Sequence, residues 1–220
     1  MVVVNTTNHE VDVRLVDALA APDSSVRLRA ALSAGTVGDP RLARILIDRC
    51  AIEPDFFVRD MLTWALCRLP AELTLPLLLA ELDSETPQAR SQALHTLSKI
   101  GDPSAWPVVS ALLHDEHDDV AVSAWRAAAV LVPSGAESGL AYDLAAALGR
   151  GDHQMWLSLS RAFAALGDAA APALAAAMTH PDPHVRAHAE ASEQLRLDPD
   201  SGFASSVELA KRAAALGQNA

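Results

Sequence analysis

Residues 89–102 read ARSQALHTLSKIGD, and five other segments of the chain repeat this pattern in register. The related segments are VRLRAALSAGTVGD (26–39), VRDMLTWALCRLPA (58–71), VAVSAWRAAAVLVP (120–133), MWLSLSRAFAALGD (155–168) and VRAHAEASEQLRLD (185–198). Their first residues are 32, 31, 31, 35 and 30 positions apart. A period of this length is typical of helical solenoids, whose helix pairs bury their apolar faces against neighbouring pairs. The repeat therefore predicts an all-α fold.

Each repeated segment has the pattern of one amphipathic helix, which we call the anchor helix of its repeat. Small or apolar residues occupy positions 1, 5, 8 or 9, and 12 of the segment, such as Val26, Ala30, Ala34 and Val37 in the first copy and Ala89, Ala93, Leu97 and Ile100 in the third. This spacing places them on one helix face. Possible N-caps precede three of the helices (Asp55, Thr86, Asp182), and glycines that favour a left-handed cap end three (Gly38, Gly101, Gly167).

A second, shorter helix is predicted between successive anchor helices. The corresponding segments are 41–51, 72–83, 104–115 and 140–150. Residues 11–21 supply an incomplete pair at the beginning, and residues 205–217 have the capping-box and glycine signals of a separate amphipathic helix. We expect that last helix to cover the end of the stack.

The pattern D-x-x-VR-x-x-A-x-x-AL-x-x-[IVL]-GD-P, seen in residues 23–40 and 88–113, resembles HEAT-like repeats of the short type named after phycobilisome lyases. The resemblance covers residues 10–198 and implies an α-solenoid, or α-α superhelix, of about six helix pairs. We therefore expect an N-terminal extension (1–9), the solenoid (10–198) and a C-terminal capping helix and tail (199–220). The resemblance also implies inter-repeat ion pairs between the recurrent arginines (Arg27, Arg59, Arg90, Arg186) and the aspartates Asp39, Asp102 and Asp168.

Composition excludes several classes of protein. Seventeen Lys and Arg residues against 28 Asp and Glu residues give a net charge of −11, which disfavours nucleic acids and anionic membranes as partners. Two cysteines, Cys50 and Cys67, form no disulfide framework and no metal-type spacing. No signal-peptide pattern and no apolar run long enough for a membrane span is found, so we expect a cytoplasmic protein.

The candidate binding residues come from the helix face opposite the apolar stripe. In HEAT-like proteins the anchor helices line the concave side of the superhelix, and position 7 of the pattern then points into it. This row contains Trp64, His95, Arg126 and Arg161, and position 3 adds Asp60 one turn before Trp64. Trp and Arg dominate binding hot spots, so the row is a candidate groove. Packing of Trp64 against a neighbouring helix and pairing of the arginines with carboxylates are the structural alternative.

Two other functions stay open from the sequence. Alkylpurine DNA glycosylases resemble this chain in having a HEAT-like solenoid with tryptophans, an acid and an arginine in the concavity, a set to which Asp60, Trp64 and Arg126 would correspond. Against this reading, the chain has only two lysines, Lys99 and Lys211, for phosphate contacts. A small-molecule sensor would require an apolar pocket between Trp106, Trp125 and Trp156.

Metal and cofactor sites are not predicted. The acidic segment 114–119 and the pair His184 and His188 could hold a metal, but N-capping already explains acidic residues before a helix. The di-iron hydroxylases of this fold use several His-Glu dipeptides, whereas this chain has one, His9-Glu10, outside the repeats. Nucleotide-binding loops and the G-x-S-x-G motif are absent from the sequence, so no cofactor and no catalytic residue is assigned.

We therefore expect a non-catalytic scaffold or adaptor that binds a protein or peptide in the concave groove through Asp60, Trp64, His95, Arg126 and Arg161. Acidic loops such as HDEHDD (114–119) favour a partner with a basic surface.

Overall fold

The computed structural model describes residues 12–199, which form a series of α-helices joined by short loops. The helices are α1 (Val13–Leu19), α2 (Ser24–Val37), α3 (Ala43–Ile52), α4 (Phe56–Cys67), α5 (Ala71–Glu81), α6 (Pro87–Ile100), α7 (Trp106–Ser110), α8 (Asp118–Leu131), α9 (Glu137–Ala145), α10 (His153–Leu166), α11 (Ala171–Ala177) and α12 (Pro183–Leu197). Short 3-10 turns precede α3, α7 and α11. Within residues 12–199 no strand occurs, and none of these helices is long and apolar enough to span a membrane.

The helices follow the predicted repeat. The six anchor segments form α2, α4, α6, α8, α10 and α12, and the second helices of the pairs are α3, α5, α7, α9 and α11. The incomplete pair predicted at the beginning is represented by α1. The expected extension at 1–9 and the capping helix at 205–217 lie outside the described residues.

The described chain divides between Thr96 and Leu97 into two compact units, which we call unit 1 (12–96) and unit 2 (97–199). In unit 1, α2 packs against α1 and α4, and α3 packs against α4 and α5. In unit 2, α8 packs against α7, α9 and α10, while α12 packs against α10 and α11. Successive anchor helices therefore pack on one another within each unit. This order is that of an α-solenoid, and the predicted fold class is confirmed.

Small residues allow the anchor helices to approach closely. Ala34 on α2 and Ala65 on α4 are fully buried in unit 1, as are Ala121 and Ala124 on α8 in unit 2. Leucines from the second helices, such as Leu46 on α3, complete the core. One residue of the predicted apolar stripe does not lie in the core. Val37 is 68% exposed, because α2 ends at this residue and the chain turns at Gly38.

The recurrent Gly-Asp-Pro sequence forms a turn between the helices of a pair. Gly38 and Gly101 have φ angles of 65° and 72°, in the left-handed region that glycine tolerates best. Asp39 and Asp102 then accept hydrogen bonds from the amides two residues later, at 3.0 and 2.9 Å. Each proline begins the following 3-10 turn, where its missing N–H is not needed.

The recurrent arginines bind loop carbonyls. Nη1 of Arg27, Arg59 and Arg186 donates to the carbonyl oxygens six and five residues earlier, at 2.8–2.9 Å. Arg27, Arg59 and Arg186 therefore do not pair with Asp39, Asp102 or Asp168; Arg27 pairs with Glu53 instead, and Asp168 pairs with Arg196 of the next repeat at 2.8 Å. The physical reason is that the loop before each anchor helix contains carbonyl groups with no backbone donor nearby, and the arginine supplies one.

Candidate functional site

Trp64 on α4 combines exposure with a fixed position. Its side chain is 37% exposed, and its ring lies directly over Gly35 on α2. A Cβ atom at Gly35 would overlap the ring and would come within 2.9 Å of the Ala65 Cα, so only glycine allows this approach. Trp64 therefore packs on a neighbouring helix and still presents part of its indole to solvent. The structural alternative, packing of Trp64 on a neighbouring helix, is therefore found, and its role in a binding groove stays a prediction.

Arg68 also contacts the Trp64 ring. Its guanidinium carbon lies 5.2 Å from the centroid of the Trp64 ring, and its Nε donates to the Gly35 carbonyl oxygen at 2.7 Å. Gly35 is near the C-terminal end of α2, where carbonyl groups lack helical donors and a positive charge is favourable. The hydrogen bond and the cation–π contact together hold the indole in one orientation.

Two exposed side chains accompany Trp64 in unit 1. Asp60 lies one helical turn earlier on α4 and is exposed. Leu32, which occupies position 7 of the pattern on α2, is 47% exposed. The helices α2 and α4 pack together. Unit 1 therefore presents Leu32 on α2 and both Asp60 and Trp64 on the neighbouring α4. His95, at position 7 on α6, is half-buried.

Arg126 and Arg161 are brought together in unit 2. Nε of Arg126 on α8 donates to Oγ of Ser158 on α10 at 2.8 Å, and Arg161 follows Ser158 by three residues on the same helix. Partial burial and the positive charge of Arg161 both lower the pKa of Arg126. Arg126 is partly buried around its hydrogen bond but, like Arg161, keeps exposed surface, and neither forms an ion pair with a carboxylate among residues 12–199. The predicted pairing of these arginines with carboxylates is not found.

The five candidate residues are distributed over both units. Asp60, Trp64 and His95 belong to unit 1, whereas Arg126 and Arg161 belong to unit 2. A single groove lined by all five stays a prediction. The structure supports two local groups instead: the Trp64 face, defined as Leu32, Asp60 and Trp64, and the arginine pair, defined as Arg126 and Arg161.

The tryptophans expected around a sensor pocket are packing residues. Trp125 is fully buried on α8, and its indole N–H donates to the Leu113 carbonyl oxygen at 2.9 Å. Trp156 on α10 stacks against the His188 ring, with a centroid distance of 4.4 Å and an interplanar angle of 5°. Trp106 is half-buried. The structure therefore assigns Trp125 and Trp156 to the core of unit 2.

His188 uses both ring nitrogens in hydrogen bonds. Nδ1 accepts from the Gly149 amide at 3.0 Å, and Nε2 lies 3.0 Å from the Trp156 carbonyl oxygen, to which it donates in this tautomer. Burial lowers the pKa of His188 to about 4, against the opposing effect of the hydrogen bond to Trp156. Because neither nitrogen is available, His184 and His188 do not form the metal half-site considered from their spacing.

The acidic segment 114–119 contains partly neutralised charges. Asp118 forms an ion pair with Arg150 at 2.7 Å, and Arg150 also donates to the carbonyl oxygens of Asp115 and Glu116. His117 lies 3.3 Å from an oxygen of Asp115. Among residues 12–199, no group of three or more His, Cys, Asp or Glu side chains has an arrangement that fits a metal ion. The His9-Glu10 dipeptide lies outside the described residues.

Glu53 is a buried charge with a structural role. Both of its oxygens accept from Arg27, at 2.7 and 2.8 Å, and Oε2 also accepts from Arg49 at 2.6 Å. Burial alone would raise the pKa of Glu53, but the hydrogen bonds from Arg27, the Asp55 amide and Arg49 outweigh it and lower the pKa to about 2. The cluster joins α2, α3 and the beginning of α4, so it stabilises the fold of unit 1.

These observations define the class of protein: an α-solenoid of short helix pairs whose anchor helices carry small groups of exposed side chains. The family model described as HEAT repeats matches residues 58–130, and the predicted resemblance is confirmed over that stretch. No curated protein matches the sequence.

Several solved structures are similar at low sequence identity. An engineered protein is 20% identical with a TM-score of 0.45, and the match covers 90% of this chain and 96% of that one. Human deoxyhypusine hydroxylase in complex with glycerol is 18% identical with a TM-score of 0.46, over 90% of this chain and 93% of that one. The complex of CpcE and CpcF of phycocyanin lyase from Nostoc sp. is 16% identical with a TM-score of 0.39, over 96% and 97% of the two chains.

Three residues that shape the candidate groups are missing from the sequence prediction. Gly35 makes room for Trp64, Arg68 fixes the indole and Ser158 orients Arg126. Gly35 carried a signal, because a glycine inside a helical pattern often marks the close approach of another element. Arg68 and Ser158 carried none, since their partners depend on how neighbouring helices are aligned.

Proposed function

We propose that this protein is a non-catalytic, cytoplasmic scaffold or adaptor that binds a protein or peptide through its anchor helices. HEAT repeats commonly serve in protein interactions, and residues 58–130 match this family. Cys50 and Cys67 are not joined in a disulfide bond, as expected in a reducing compartment. The acidic segment 114–119 would favour a partner with a basic surface.

The observation that carries the proposal is the fixed, exposed indole of Trp64. Binding normally costs conformational entropy when an exposed side chain becomes ordered. Trp64 is 37% exposed, yet its packing on Gly35 and the contact with Arg68 already hold the ring in one orientation. Tryptophan is one of the residues enriched in binding hot spots, so a preordered and partly exposed Trp64 supports a contact surface on α4.

Affinity capture from the native host tests the proposal. The tagged full-length protein is compared with Trp64→Ala and Leu32→Arg, and bound proteins are quantified by mass spectrometry. Leu32→Arg changes an exposed side chain, so it tests the surface even where Trp64→Ala weakens the fold. Tyr142→Ala is the matched control, because Tyr142 is 55% exposed on α9 and outside the Trp64 face.

A specific partner should be retained by wild type and Tyr142→Ala and depleted about tenfold or more by either substitution in the Trp64 face. Equal recovery by all four proteins would contradict the proposal. The nucleic-acid alternative is tested by titrating duplex DNA at about 50 mM salt and at higher salt, since binding through phosphates weakens steeply with salt. Tight, salt-dependent DNA binding would replace the scaffold proposal.

A further inference from the structure

Arg126 and Arg161 are neighbouring arginines that have no carboxylate partner among residues 12–199. Several other arginines in this part of the chain form ion pairs with Asp or Glu: Arg27, Arg41, Arg44, Arg49, Arg150 and Arg196. Arg59 and Arg186 instead donate to loop carbonyl oxygens, and Arg68 donates to the Gly35 carbonyl oxygen. The chain has 28 acidic residues and 17 Lys and Arg residues, so carboxylates are abundant. Arg126 and Arg161 nevertheless lie together on packed helices with no such partner among the described residues.

The hydrogen bond to Ser158 leaves the outer part of the Arg126 guanidinium available. Ser158 is buried and accepts from Nε of Arg126 at 2.8 Å, which fixes the direction of the side chain. Nη1 and Nη2 of Arg126 then have no hydrogen-bond acceptor among residues 12–199. Arg161 is one helical turn from Ser158 and is also exposed.

An anion between the two guanidinium groups would relieve their repulsion. A guanidinium group presents paired donors that match the two oxygens of a carboxylate or phosphate. Two such groups from adjacent helices could share one anion, as opposite charge between like charges lowers the electrostatic free energy. The net charge of −11 opposes nonspecific binding of anions elsewhere on the chain.

We propose that Arg126 and Arg161 bind an oxyanion, a carboxylate or a phosphate, on the protein partner. The inference rests on the proposed function, because it names the chemistry by which the partner contacts unit 2. The partner therefore presents an acidic or phosphorylated side chain to the arginine pair. Arg126 and Arg161 are the binding residues, and the Ser158 hydroxyl orients Arg126.

Nuclear magnetic resonance of the arginine side chains tests this directly. The full-length protein is labelled with ¹⁵N, and the guanidinium signals of Arg126 and Arg161 are followed during titration with sodium phosphate at constant ionic strength. Parallel titrations use a short glutamate-containing peptide, the same peptide with phosphoserine, and the same peptide with glutamine. Arg29→Gln is the matched control, because it removes one exposed arginine charge from unit 1.

Saturable shifts of both guanidinium signals by phosphate and by at least one anionic peptide are the expected result. Arg126→Gln and Arg161→Gln should each weaken this binding about tenfold or more, whereas Arg29→Gln should retain it. A preference of about tenfold for the phosphoserine peptide identifies a phosphorylated partner, and equal affinities identify acidic side chains.

Signals that move no more than that of Arg29, or binding that survives both arginine substitutions, would overturn the inference. Tighter binding of duplex DNA than of every peptide would also overturn it, because the anion would then belong to a nucleic acid. The phosphate titration needs no partner protein. If phosphate and the peptides do not bind the arginine pair but a partner is still captured through Trp64, only the oxyanion site is rejected. If the arginine pair binds anions but no partner is captured, the proposed function is rejected.

Discussion

At the scale of single residues, the Glu53 cluster and His188 stabilise different units through buried hydrogen bonds. Glu53 is a fully buried carboxylate that forms ion pairs with Arg27 and Arg49, so its negative charge is needed to balance these two arginines. His188 is fully buried as a neutral ring between Gly149 and Trp156. The free energy of unfolding therefore depends on the protonation of both Glu53 and His188, and the two residues act in different ranges of pH.

Glu53→Gln should lower the free energy of unfolding by about 3 kcal/mol, because it leaves Arg27 and Arg49 without their buried counter-charge. Asp48→Asn is the control. Asp48 pairs with Arg44 on the surface of α3, and such exposed pairs contribute less than about 1 kcal/mol. Urea denaturation at neutral pH measures both. Similar losses for the two variants would show that burial of the Glu53 cluster has no special effect.

The wild-type advantage over Glu53→Gln should also disappear in acid. The pKa of Glu53 is lowered from 4.5 to about 2 in the folded protein, so the charged form is favoured by folding. Its contribution is present above about pH 4.5 and is lost as the pH falls towards 2. A difference between the proteins that stays constant over this range would be inconsistent with a folded-state charge at Glu53.

His188 should make the protein less stable in mild acid. Its pKa falls from 6.5 to about 4 on folding, so its contribution is complete above about pH 6.5 and is lost as the pH falls towards 4. The expected loss of unfolding free energy is about 3 kcal/mol over this range. Urea denaturation across these pH values should show a smaller loss for His188→Gln, whose side chain does not titrate. Parallel curves for the two proteins would exclude His188 as the source.

At the scale of helices, two glycines should respond oppositely to the same substitution. Gly35→Ala places a Cβ against the Trp64 ring and the α4 backbone, so we expect a loss of about 1–3 kcal/mol despite the higher helix propensity of alanine. Gly139→Ala on α9 meets open space and should raise stability by about 0.5–1 kcal/mol. Thermal denaturation measures both, and a stabilising Gly35→Ala would disprove the close contact between α2 and α4.

The helices could be predicted from the sequence because their signals are local. Asp55 and Asp182 cap α4 and α12 as expected, and Gly38 ends α2 in the left-handed conformation. The candidate groups were predicted less completely. Helical periodicity places Trp64 and Arg126 on the exposed side of their helices, but the alignment of neighbouring helices decides that Gly35 lies under one and Ser158 beside the other.

At the scale of the whole molecule, the chemistry of the surface is uneven. The chain has a net charge of −11, yet one exposed pair of arginines has no carboxylate partner among residues 12–199. The fixed indole of Trp64 is accompanied by an exposed acid and an exposed leucine. A partner with an apolar group, basic residues and an oxyanion would complement these features.

Site-specific photo-crosslinking tests most directly whether the Trp64 face contacts a protein. A benzophenone amino acid replaces Asp60, one turn from Trp64, and a second protein carries it in place of Tyr142 on α9. Irradiation with native-host extract should give a defined crosslinked partner from position 60, competed by unlabelled wild type but not by Trp64→Ala, and none from position 142. No crosslink from position 60, or the same products from both positions, would contradict a binding surface at Trp64.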